Sequence, residues 1–115
     1  MDFNVFLSSA VQNKAGKFVL PSAKSGAAAL NSITLDNNLA GENPNPSAAG
    51  AYPISTLTWI LAYRNGNGDK TDDLRSTFNY ILSANAQMIA DDLGYVPLAG
   101  SVLNKSRIAV KRIGQ

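Results

Sequence analysis

The chain has 115 residues, enough for one small domain with a modest core, and its 45% apolar and 16% charged residues are a globular composition, not a disordered one. Ten basic residues against eight acidic ones leave a net charge of +2, so the overall balance writes in no polyanionic partner. With no Cys and no His, the chain has no disulfide, thiolate nucleophile, zinc site, imidazole triad or imidazole proton relay to offer.

In chain order, "FNVFLSSAV" and "KFVL" read as two short strands around "QNKAG", where Asn13 and Gly16 supply turn chemistry. "MDFNVFLSSAV" has neither a basic n-region nor an apolar h-region and is not read as a signal peptide. The longest apolar run falls far short of the roughly 20 residues that span a bilayer. Pro21 ends the second strand. Ser22 then stands as N-cap of "AKSGAAALNS", an Ala-rich helix of about three turns weakened by Gly26.

From Thr34 to Gly50 the chain is rich in Asn, Gly and Pro and carries no element. A structureless run of that length marks a functional loop or a crossing between bodies, and we read it as a crossing. "AYPISTLTWILAY" follows. Ile54, Leu57, Trp59 and Leu61 are apolar, and so are Ile60 and Ala62, so apolar side chains fall on both faces of an extended chain. The reading is a buried strand over Ile54–Tyr63 in a parallel or mixed α/β sheet, with Trp59 in the core.

"RNGNGDK" is the densest turn signal in the sequence. Beyond it Asp69 or Thr71 caps a helix in which Leu74, Phe78, Ile81 and Leu82 recur every three or four residues, with Asp72 and Asp73 in its first turn. The helix breaks around Ser83-Ala84-Asn85 and resumes through Met88, Ile89 and Leu93 to Gly94, a C′ residue. "YVPLAG" is an extended link. A last helix over Ser101–Ile113 turns Leu103, Val110 and Ile113 inward and Lys105, Arg107, Lys111 and Arg112 outward.

The candidates for chemistry dissolve on inspection. Asp72-Asp73 and Asp91-Asp92 point about 100° apart on a helix, so neither pair converges on one proton or ion. Asp69 and Asp73 share a face, yet Mg²⁺ wants more oxygens. "GNGD" lacks the Lys and Ser/Thr of a phosphate loop, and its acidic neighbours repel an anion. No Ser-x-x-Lys stands in a usable context, so no nucleophile has a base, and no enzyme, cofactor or metal site is expected. The terminal basic residues lack interleaved aromatics and are read as a solvated face, not a nucleic-acid surface. Of the aromatics, Tyr52 before Pro53 is held extended and, with Pro53 and Trp59, is the hinge or packing candidate.

A buried strand with no neighbour of its own marks part of a larger sheet protein. Two patches, "AVQNKAGKFVLPSAKSGAAAL" and "AYPISTLTWILAYRNGNGDK" followed by "LGYVPLAGSVL", resemble the C-terminal third of PstS, the phosphate-binding proteins of phosphate-specific ABC transporters, in their cyanobacterial type. The resemblance runs from about Ser8 to Val110. It implies an α/β architecture: the C-terminal part of a periplasmic-binding-protein type II fold, with mixed-sheet strands and three to four helices. Residues 1–50 would end the second lobe and form the crossover loop, and residues 51–115 would supply the crossover strand and C-terminal helices of the first lobe.

The implied function is capture of inorganic phosphate in the periplasm for delivery to ABC-transporter permease subunits. No residue of this chain matches a phosphate-contacting position of that family, so the phosphate-binding residues are expected in a missing N-terminal part and this portion is mainly scaffold. The alternative is a shortened stand-alone interaction domain that self-associates through an exposed strand edge.

Overall fold

Residues 9–115 are described by the computed structural model. Among them the chain is mixed α/β, with four helices and one two-stranded antiparallel sheet. Strands β1 (Val11–Gln12) and β2 (Phe18–Val19) pair with Val11 opposite Val19 and Gln12 opposite Phe18. The turn between them closes through Asn13 N–H to Lys17 O and Gly16 N–H to Asn13 O, both 2.9 Å, and Gly16 takes φ +74°, where a Cβ would be strained. The hairpin expected from "QNKAG" is therefore present. The expected first strand survives only as its C-terminal end, its residues 3–8 lying outside the described residues.

Helix α1 (Ala23–Leu30) starts at Ser22 as expected. Ser22 Oγ accepts from Ser25 N–H at 3.1 Å and Ser25 Oγ accepts from Ser22 N–H at 2.9 Å, a capping box built from two serines. Gly26 does more than weaken this helix. A Cβ there would lie 2.4 Å from Val96 Cγ2, so the missing side chain is what lets the 95–99 link lie against α1. That contact feeds the core, in which Leu30, Ile33, Leu35 and Val102 are buried with Leu39, Leu57, Val96 and Leu98 packed around them.

A 3₁₀ turn, Gly68–Lys70, leads into α2 (Thr71–Ile81). Neither expected cap is one. Asp69 sits in the 3₁₀ turn, and Thr71 is the first helical residue, its hydroxyl donating back to Gly68 O at 2.9 Å. The break at Ser83 is as read: the side chain of Ser83 accepts from Ala86 N–H at 3.2 Å and caps α3 (Ala84–Asp92). Gly94, at φ +80°, ends α3 in a Schellman motif, with Tyr95 N–H on Ala90 O and Gly94 N–H on Asp91 O. Helix α4 (Gly100–Lys111) buries Val102 where the spacing favoured Leu103, and Val110 and Ile113 are buried as expected.

The strand over Ile54–Tyr63 is a correction. No regular element forms between α1 and the 3₁₀ turn. A strand is defined by its ladder, and no other strand lies beside this segment among the described residues. Burial fails with it: Trp59 is 44% exposed and Leu61 93% exposed, so Trp59 is not a core residue. The Cα radius of gyration, 16.1 Å, exceeds the ~13 Å of a compact chain this long, as expected of a body with its apolar faces left open.

Candidate docking surface

Leu57–Tyr63 forms a ribbon fastened at both ends and open between. Asn13 sets the near anchor. Its buried side chain donates to the carbonyls of Ala48, Ala49 and Ala51 at 3.0–3.2 Å, while its Oδ1 accepts from Ala15 and Lys17 N–H. Tyr52 N–H then donates to Ser25 O and Ile54 N–H to Pro44 O, both at 3.1 Å, and Leu57 reaches the core. At the far end Arg64 O accepts from Gly114 N–H at 2.7 Å and Tyr63 O from the Asn67 amide at 2.7 Å. One side-chain contact holds the middle, Trp59 Nε1–H on Leu39 O at 2.7 Å.

Between these anchors the backbone is unused. Among the described residues, no backbone N–H from Ser55 to Gly66 donates to another backbone group, and the carbonyls of Thr58 to Ala62 accept nothing. Beside the ribbon runs a groove of about 510 Å³ floored by Phe78, Ile81 and Leu82 of α2 and its C-cap and by Ala109, Val110 and Ile113 of α4 and its end. Ile60 and Leu61, exposed by 64% and 93%, line it together with Arg64 and Arg112, and Tyr63, 81% exposed, follows them in the ribbon. Unpaired ladder groups beside an apolar trough are the requirements of strand addition: main-chain donors supply binding, and alternate side-chain pockets supply selectivity.

The three residues singled out from the sequence do not converge. Pro53 is buried near the Asn13 anchor, and Trp59 lines the groove. Tyr52 is half-buried and lines a separate hollow of about 210 Å³ with Ser22, Ser55, Asp91 and Val96. That hollow is not built for an anion. The hydroxyl of Ser22 is committed to the α1 capping box, and the acidic residue Asp91 is part of the lining. Of the carboxylates and other metal-ligating residues, no three come together among the described residues, and no described helix is long and apolar enough to cross a membrane.

Sequence reasoning passed over Asn13 as a turn residue. Its five hydrogen bonds could have been half foreseen, because an Asn opening a tight turn folds its carboxamide onto the residues that follow. The three long-range partners carry no local signal. No known protein-family model matches the chain, and a search of curated proteins found no significant match.

Proposed function

We propose that this chain is the C-terminal scaffold portion of a periplasmic phosphate-binding protein of the PstS type, serving an ABC transporter. The observation that carries the reading is the ribbon: an apolar segment held extended at both ends, with free ladder groups over a helical floor. A strand drawn from a larger sheet leaves this arrangement. The order hairpin, capped helix, crossing loop, extended segment and paired helices also follows the order on which the sequence resemblance rests. In this reading residues 51–115 complete the first lobe of a type II binding fold, residues 1–50 end the second, and the anion's donors come from upstream sequence.

The test is an immunoblot of source cells with an antibody to Val102–Gln115. The expected result is a periplasmic species much larger than 12.1 kDa, whose melting temperature rises with millimolar phosphate and not with sulfate, as mass action requires of a native-state ligand. A native product of 12.1 kDa, or a larger one indifferent to phosphate, overturns the reading.

The same free edge supports a second reading, a stand-alone domain that self-associates. Sedimentation of the purified chain decides it: a defined dimer that Leu61→Lys converts to monomer supports it, and a monomer at every concentration removes it. Because Leu61 is 93% exposed, the lysine leaves the fold itself unperturbed.

A further inference from the structure

The turn that joins the ribbon to α2 contains Asn-Gly twice, at Asn65-Gly66 and Asn67-Gly68. In such a pair the backbone nitrogen of the glycine can attack the asparagine Cγ, since no side chain shields it. A C–N bond forms, ammonia leaves, and the resulting succinimide takes up water to give an aspartyl or isoaspartyl residue. Only water is consumed. As sequence, the two sites are equivalent; as structure, they are not.

Asn67 is locked. It caps the 3₁₀ turn at φ −80° and ψ −7°, its carbonyl accepts from Lys70 N–H at 3.1 Å, and its side-chain nitrogen donates to Tyr63 O at 2.7 Å. Ring closure needs the Gly68 nitrogen swung to the Cβ side, which opens that turn and breaks both bonds. Asn65 is exposed, and its amide, turned nitrogen-first, meets only Gln115 O at 2.9 Å and Arg64 O at 3.2 Å. Among the described residues the Gly66 N–H has no backbone acceptor, and Gly66 takes φ +85°. We propose that Asn65-Gly66 is a site of spontaneous, site-selective deamidation, with Asn67-Gly68 protected by the fold.

The product matters because of where it falls. The adjacent Arg64 carbonyl is the ribbon's far anchor through Gly114 N–H. An isoaspartyl link lengthens the main chain there by one methylene, and either product adds a negative charge four residues before Asp69 of the 3₁₀ turn. Modification therefore loosens the ribbon at the end nearest its exposed apolar residues. This inference stands independently of the proposed function.

The purified 115-residue chain is incubated at neutral pH, with a parallel sample in guanidinium. Fragment spectra of the tryptic peptide Asn65–Lys70 follow the amide-to-acid mass change at each position. In buffer Asn65 is expected to convert faster than Asn67 by on the order of tenfold, the factor set by the one backbone hydrogen bond, Lys70 N–H to Asn67 O, that only Asn67 must break. In denaturant the two rates converge, and Asn65→Gln abolishes the early product. Equal rates in both samples, a faster Asn67, or conversion confined to the denatured sample would each overturn the proposal.

Discussion

Ile54 has φ +67°, in the left-handed region that a β-branched side chain occupies only under strain of about 1–2 kcal/mol. Its side chain is 71% exposed and contributes little packing, so what holds the conformation is the bond from its N–H to Pro44 O and the buried residues Ala51 and Pro53 before it. Ile54→Gly should therefore stabilise the chain by about 0.5–1 kcal/mol, the relieved strain exceeding the extra unfolded-state freedom of glycine. A lower melting temperature would show that the Ile54 side chain packs in solution as it does not here. Asn13 is the opposite case. Asn13→Ala removes, among the described residues, the hydrogen bonds that tie the hairpin to the 48–51 loop and leaves the buried Ala51 carbonyl without its donor, for an expected loss of about 1–3 kcal/mol. Asn13→Asp keeps the acceptor side but puts a carboxylate against three carbonyls, and the same thermal melt should show it no less damaging. Neither residue stood out in the sequence for these roles, because positive φ at an isoleucine and carbonyls 35 to 38 positions away leave no local pattern.

The helices and the hairpin were legible and the fate of the Ile54–Tyr63 segment was not, for a physical reason. Each helix closes its own hydrogen bonds, so periodicity and caps suffice: Ser22, Ser83 and Gly94 do in space what their residue types announce. A strand borrows its bonds from elsewhere, and the apolar run after Ile54 signals demand for a ladder without containing its supply. Gly26 shows the limit inside a helix. Propensity alone makes Gly26→Ala favourable by about 1 kcal/mol, yet the new methyl would stand 2.4 Å from Val96 Cγ2. Val96 is β-branched, with little freedom to turn away, so overpacking wins and a net loss of about 1–2 kcal/mol is expected. Denaturant titration of the variant decides between the two effects, and a gain in midpoint would mean that the 95–99 link shifts freely off α1.

For the molecule as a whole, the apolar inventory is divided unevenly. A small core around Leu30, Ile33, Leu35 and Val102 coexists with Ile60, Leu61, Tyr63, Tyr80, Met88 and Leu93 largely in solvent. The denaturant slope measures surface exposed on unfolding, and surface already exposed cannot be exposed again. The isolated chain should therefore unfold in urea with a slope near the low end for small proteins, about 1 kcal/mol/M. Trp59→Ala sharpens the argument. Were Trp59 a core residue, its removal would destabilise by about 3–5 kcal/mol. At 44% exposure, with one indole bond to Leu39 O, the expected loss is about 1–2 kcal/mol with the slope unchanged. If the proposed partner strand filled the groove, the ribbon's apolar side chains would leave water, and both the slope and the penalty at Trp59 would rise together. A steep slope and a severe Trp59→Ala in the isolated, monomeric chain would mean that the ribbon has already found its cover within these 115 residues.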